Sequence, residues 1–195
     1  MRKLSEGAEA KVFETCIFGV DAVVKVRGAK TYRIRELDEA LRRTRTRKEA
    51  RAMARADEAG VRVPRLLALG KFSIYMERVR GKLLKDSAGE AVDYGAIGAM
   101  LARMHKANVV HGDFTPANIM VDGPEMCVID FGLAEISDSV ENKAIDLLLM
   151  KRALGRKAYG ELADTYAKEY PESKQVFSRL ADIERRGRYQ TRTLA

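Results

Sequence analysis

Residues 111 to 132 constrain this chain more than any other stretch. They read His111-Gly112-Asp113-Phe114-Thr115-Pro116-Ala117-Asn118, then a largely apolar run from Ile119 to Ile129, then Asp130-Phe131-Gly132. Val109-Val110, Ile119-Met120-Val121 and Met126-Cys127-Val128-Ile129 have the pattern of short buried strands, so the polar residues between them belong on loops at strand ends. There Asp113 can accept the proton of an attacking hydroxyl or orient a water. Asn118 and Asp130 offer the hard oxygen ligands that Mg²⁺ requires. Gly132 lets the chain turn after Asp130, and Phe131 can pack beneath. His111 reads as a residue that packs and hydrogen-bonds the loop. A lone Asp-Phe-Gly means little, because a strand ending in a turn produces it. HGDxxxxN followed at this distance by IDFG is far more specific.

This is the spacing of a phosphoryl-transfer site of the protein-kinase kind, and it frames what lies upstream. Residues 1 to 27 read as three short strands, with Gly7 in the first turn, where a glycine-rich loop would cover ATP phosphates. One glycine alone is more often the mark of an ordinary hairpin. Lys25 stands between valines on the third strand, costly to bury without a partner and suited to hold the α/β-phosphates. A helix is expected from Arg35 to Leu41. A second is expected from about Thr44 to Ala59, ended by Gly60, with Ala50, Met53, Ala54 and Asp57 on or near one face. Glu49 on the second helix is the candidate partner of Lys25. After a strand pair at 66 to 70 and 72 to 77, Arg78-Val79-Arg80-Gly81 reads as a hinge, with adenine against the backbone near Glu77 and Val79. The expected fold is α+β, a miniature two-lobed kinase-like architecture. A β-rich N-lobe over 1–80 precedes a helical C-lobe over 81–195 with a short activation segment.

At 195 residues the chain is shorter than an ordinary protein kinase. The missing part is visible: after Gly132 no long activation segment with an APE-type anchor appears, and a helix begins near Glu141. Position 112 is glycine where regulated kinases carry arginine, and Thr115 stands where many place a lysine. Asp146, on the following helix, reads either as a tether of the catalytic loop through backbone amides or as an ordinary exposed helical aspartate. The net charge of +8, with Lys30, Arg33, Arg35, Arg42, Arg43, Arg45, Arg47 and Lys48 close together, favours a polyanion such as RNA. A second basic segment, Arg185 to Ala195, ends the chain. Cys16 and Cys127 sit in apolar runs without metal-ligand spacing and read as buried, reduced thiols. MRKLSEGAEA has no apolar signal region and no stretch approaches a membrane span, so a soluble cytoplasmic protein with no membrane partner is expected.

The segments HGDFTPANIM, IDFGLAEISDSVENKAIDL and KVRGAKTYRIRELDEALRRTRTRKEA together resemble the small atypical kinases of the KEOPS (EKC) complex, the PRPK-like relatives of the RIO kinases. The resemblance spans nearly the whole chain. It implies ATP and Mg²⁺ as ligands, serine/threonine autophosphorylation, and ATP hydrolysis within an assembly that makes threonylcarbamoyladenosine in tRNA. It implies a threonylcarbamoyltransferase subunit as direct partner, together with other KEOPS subunits and tRNA. By position, Lys25 and Glu49 become the nucleotide ion pair, Asp113 the base, and Asn118 and Asp130 the Mg²⁺ ligands. Two other readings stay open. A small-molecule kinase of the aminoglycoside or choline type shares HGDxxxxN, but its cationic substrates need acidic pockets and this chain is basic. A nucleotide-binding scaffold would use the pocket only to order an interface.

Overall fold

The alternating N-terminal third folds as an antiparallel five-stranded sheet, in a computed structural model that describes residues 1–7, 9–17, 19–87 and 91–192, the last six by backbone alone. The strands are β1 (Lys3–Glu6), β2 (Lys11–Ile17), β3 (Val20–Val26), β4 (Leu66–Leu69) and β5 (Ser73–Glu77), in the order β1-β2-β3-β5-β4. β3 lies at the centre, pairing Lys25 with Val12 on one side and Ile74 on the other. Because side chains alternate, Asp21, Val23 and Lys25 share one face while Ala22 and Val24 bury themselves on the other.

The single helix α1 (Arg35–Glu58) packs on this sheet. The sequence suggests two helices; the structure joins them. No glycine or proline interrupts residues 35–58, and the Thr46 hydroxyl donates back to the Arg42 carbonyl at 2.8 Å instead of opening a turn. Its buried face is also rotated from the expected one. Thr46, Glu49, Ala50, Ala52, Met53 and Ala56 are buried, whereas Ala54 is half-buried and Asp57 exposed. Alanines give a weak hydrophobic signal, and the helix turns to deliver Glu49 to Lys25. Cys16 likewise differs: it is exposed near the β2–β3 hairpin, and only Cys127 is buried.

Beyond the hinge, two small sheets and four helices build the rest. β6 (Lys82–Leu83), β8 (Ile119–Asp122) and β9 (Glu125–Val128) form one sheet, and β7 (Val109–Val110) pairs with β10 (Glu135–Ile136) in the other. The segment that follows the hinge thus begins with a strand; residues 88–90 lie outside the described ones. α2 (Tyr94–Lys106), capped by Asp93, packs against α4 (Arg156–Glu169), and α3 (Val140–Ala153), capped by Ser139, packs against α5 (Ser173–Arg192). The side chains of 187–192 and all of 193–195 lie outside the described residues, so the basic end has no structural account. No described helix is long and apolar enough to cross a membrane.

The α2–α4 crossing depends on a missing side chain. A Cβ at Gly98 would lie 2.2 Å from the Leu162 carbonyl oxygen, whereas one at Gly160 would meet nothing within 4 Å. Gly98→Ala should therefore destabilise by ~1–3 kcal/mol in denaturant titrations. Gly160→Ala, in an open helical position, should stabilise by ~0.5–1 kcal/mol. Equal effects would contradict this packing.

Candidate active site

The two polar segments of the sequence run side by side, each clamped at both ends. Residues 111–118 connect β7 to β8 and residues 129–134 connect β9 to β10, while β7 pairs with β10 and β8 with β9. The Ile129 N–H donates to the Asn118 carbonyl at 2.9 Å between them. His111 joins them further. Its Nε2–H donates to the Ile129 carbonyl at 3.1 Å, its Nδ1 accepts the Asp113 N–H at 3.3 Å, and its ring packs on Phe114 and Phe131. One neutral tautomer satisfies both bonds. Burial holds the imidazole below its ordinary pKa, against the opposing pull of nearby carboxylates including Asp146.

Asp146 anchors the first loop from α3. It is fully buried and accepts the backbone N–H groups of His111 at 2.8 Å and Gly112 at 2.9 Å. The Nε2–H of His105 adds a third donor at 3.3 Å, while His105 Nδ1 accepts from the Tyr166 hydroxyl at 2.8 Å. His105 is thus a buried member of the tether. Gly112 has φ +77, and a Cβ there would sit 2.5 Å from the Leu133 carbonyl oxygen. An arginine at this position is sterically excluded.

Within this frame Asn118 donates through Nδ2 to the Asp113 carbonyl at 2.8 Å and to Asp113 Oδ2 at 2.9 Å. With its donors committed, its Oδ1 is left for a cation. Asp130 adopts φ +59, tolerated because its Oδ1 accepts the Gly132 N–H at 3.1 Å. Lys25 Nζ bridges Asp130 Oδ1 and Glu49 Oε1, each at 2.6 Å. Partial burial works to raise the Asp130 pKa, but the charge and hydrogen bond of Lys25, with the Gly132 N–H, hold it below the usual carboxylate range.

These groups face a cavity of about 760 Å³ whose apolar walls include Val12, Val23, Met76, Leu83, Met120 and Ile129. Glu77 and Val79 both line it. The Glu77 N–H is committed to the Arg65 carbonyl and the Arg78 N–H to the Asp21 carbonyl, while Val79 has no backbone partner among the described residues. Gly7 closes the β1–β2 turn through its N–H to Ala10 and does not line the cavity; Leu4 and Ser5 do. The structure thus brings Lys25, Glu49, Asn118 and Asp130 to one cavity, with Asp113 bonded to Asn118 beside it.

The basic helix divides in two. Arg42 pairs with Asp38 at 2.6 Å and stacks on Phe72, and Arg45 pairs with Glu9. Arg43, Arg47, Lys48 and Arg51 are exposed and have no ion-pair partner among the described residues.

The sheet-plus-helices architecture is that of protein-kinase-like proteins. The Rio2 kinase of Chaetomium thermophilum, solved as an ADP/Mg²⁺-phosphoaspartate complex, superimposes with a TM-score of 0.63 at 19% identity, over 97% of this chain and 72% of that one. WaaP in complex with acyl carrier protein gives 0.64 at 18% identity, over 94% and 88%. A family model described as the RIO domain matches residues 12–151. Curated relatives carry the match further. The probable serine/threonine-protein kinase BUD32 homolog of Archaeoglobus fulgidus is 36% identical over 93% of this chain and 92% of its own. The KEOPS complex subunit Bud32 of Pyrococcus abyssi is 33% identical over 99% and 98%. The probable bifunctional tRNA threonylcarbamoyladenosine biosynthesis protein of Methanobrevibacter smithii is 35% identical over 95% of this chain, which spans only 36% of that relative. The chain belongs to the RIO-domain family, in its Bud32 group.

Burial also outweighs Asp146 in lowering the His105 pKa, so both histidines of the sequence are biased toward the neutral form. Below about pH 6.5 the unfolded chain takes up protons that the native one refuses. Stability should fall as pH drops from there toward the depressed native values, by up to ~1.4 kcal/mol per pH unit for each histidine. Urea midpoints between pH 7.5 and 5 measure this. A flat profile would mean that native imidazoles are protonated.

Proposed function

We propose that this chain is an ATP- and Mg²⁺-dependent atypical serine/threonine kinase and ATPase, acting in the cytoplasm as a KEOPS subunit that supports threonylcarbamoyladenosine formation in tRNA. The observation that carries the chemistry is the convergence of Lys25, Glu49, Asn118 and Asp130 on one apolar-walled cavity, with Asp113 bonded to Asn118. The relatives' names supply the biological setting.

In this reading residues 1–80 and 81–195 act as two lobes that hold a nucleotide between them. A nucleotide held there would set its adenine against the hinge backbone at Glu77 and Val79, with the phosphates toward the β1–β2 turn that carries Gly7. Lys25, oriented by Glu49, neutralises the phosphates. Asn118 Oδ1 and the Asp130 carboxylate are the ligands for Mg²⁺. No group of three or more His, Cys, Asp or Glu side chains among the described residues could hold a metal by itself. Two oxygen donors suit Mg²⁺, which keeps waters and shares phosphate oxygens. Bound there, Mg²⁺ would offset negative charge on the phosphates. Asp113 takes the proton of the attacking hydroxyl or water. With no peptide platform after Gly132, that nucleophile is water or a hydroxyl of the assembly itself, Ser137 and Ser139 being nearby candidates. The partner in contact is the threonylcarbamoyltransferase subunit, with the other KEOPS subunits around it. tRNA is met by Arg43, Arg47, Lys48 and Arg51 and by the basic C-terminal segment.

The test follows γ-labelled ATP with Mg²⁺ on the chain alone, with the transferase subunit and with tRNA, separating released phosphate from labelled protein. Lys25→Ala and Asp130→Ala should each lower turnover by ~10²–10³-fold or more, and Asp113→Ala by ~10²–10⁴-fold, with folding retained. Full turnover in Asp130→Ala would remove the site assignment, and binding of Mg·ATP without turnover in any mixture would leave a scaffold.

For the basic face, replacing Arg43, Arg47 and Arg51 together with glutamine should weaken tRNA binding. The slope of log K against log salt should flatten by ~2–3, at about 0.7–0.9 per phosphate contact. An unchanged slope would make them a solvated face.

A further inference from the structure

A second cation, Arg27, follows directly on β3. Arg27 lies two residues beyond Lys25 and shares its face, and the two side chains divide one carboxylate between them. Lys25 Nζ is 2.6 Å from Glu49 Oε1 and Arg27 Nη2 is 2.6 Å from Glu49 Oε2. Glu49 is 2% exposed, Arg27 4% and Lys25 11%, whereas Asp130 at the far side of Lys25 is 54% exposed. The result is a row of alternating charges, Arg27⁺–Glu49⁻–Lys25⁺–Asp130⁻, buried at the arginine end and open at the aspartate end.

The burial gradient gives Arg27 its meaning. Were Lys25 the only cation on Glu49, any turn of Lys25 toward a nucleotide phosphate would strand a buried carboxylate, which is strongly destabilising. With Arg27 in place Glu49 keeps a full partner wherever Lys25 points. Arg27 is itself held: its N–H donates to the Phe72 carbonyl at 2.9 Å, and its carbonyl accepts from Arg42 Nη1 at 3.4 Å. Arg42 in turn is clamped by Asp38 and Phe72. Sheet and helix are thus joined independently of the lysine.

We infer that Arg27 is a positioning residue: it fastens Glu49, and with it α1, to β3 in the absence of nucleotide, so that Lys25 is presented to the phosphates without a helix movement. The inference rests on the reading of the cavity as a nucleotide site, but the anchor itself can be read without nucleotide.

The experiment uses the full chain as wild type, Arg27→Met, Arg27→Lys, Glu49→Gln and the Arg27→Met/Glu49→Gln double variant. Hydrogen exchange of the α1 amides around Glu49 is measured without ligand, then with Mg·ADP. Mg·ADP affinity and stoichiometry and ATP turnover at saturation are measured alongside. Losing a charged hydrogen-bond partner should speed α1 exchange in Arg27→Met by about 10- to 100-fold relative to amides of α2. Turnover should fall by a similar factor while binding stoichiometry stays at that of wild type. Arg27→Lys should recover most of both. In the double variant, turnover should fall little below Glu49→Gln alone, because Arg27 acts through Glu49.

Wild-type exchange in α1 of Arg27→Met would overturn the inference. So would exchange that quickens uniformly through the chain with stoichiometry and turnover lost together, which marks a folding role only. Additive losses in the double variant would overturn it as well. Failure of the nucleotide reading would look different: the wild-type chain would bind no Mg·ADP, and the α1 exchange arm would still report whether Arg27 is the anchor.

Discussion

The site depends on one buried carboxylate. Asp146 lies in the interior with three donors converging on it, two of them backbone amides of the loop that presents Asp113. A side-chain hydrogen bond to main chain fixes position without dictating residue type, so the loop can carry a histidine, a glycine and an aspartate in succession and still have one conformation. The helix that supplies Asp146 is packed against α5, and the histidine beneath it is bonded to Tyr166 of α4. Through this one residue the helical part of the molecule sets the conformation of the polar loop. The same loop leaves no room for a side chain at Gly112, so the feature that separates this chain from arginine-bearing kinases has a steric cause.

Charge is used in two ways that composition cannot separate. An excess of +8 suggests a polyanion partner, yet many of the arginines are structural. Arg27 and Arg45 are tied to Glu49 and Glu9, stitching α1 to the sheet and to the β1–β2 turn, while Arg42 pairs with Asp38 within α1. What remains exposed without a partner on α1 is a shorter row on its outer face. A buried aspartate, Asp38, receives Arg42, Arg33 and the Lys30 amide, so even the β3–α1 connection is an ionic structure rather than a loose basic loop.

Much of this was readable beforehand, and the failures share a cause. HGDxxxxN and IDFG were legible because each position answers to a chemical need, and the apolar runs beside them are long enough to register as strands. The Lys25–Glu49 contact was legible because a lysine between valines calls for an anion. The unity of α1 was not, since a polar threonine resembles a break until its hydroxyl is seen bonding back into the helix. Its buried face was misjudged because alanine scarcely marks burial. Two-residue strands such as β6 and β10 carry no periodicity at all. Cys16 is exposed because an apolar run at the hairpin end of a strand need not face the core. Arg27 is hidden in the sequence for a related reason: an arginine beside a basic linker looks like part of it, and only the strand's alternation puts it on the face of Lys25.

Between Asp130 and β10 lie only residues 131–134, and β10 is tied at once to β7. In regulated kinases the segment at this place is a reservoir of disorder, and phosphorylation works by making its ordering favourable. Fixing each residue of such a segment costs about 1–2 kcal/mol of conformational entropy, and that cost is what the phosphate offsets. Here the reservoir is nearly empty, because strand pairing has already ordered the few residues there are. An added phosphate would find little left to organise. In the structure the two loops are held in one arrangement by the strand pairs that flank them.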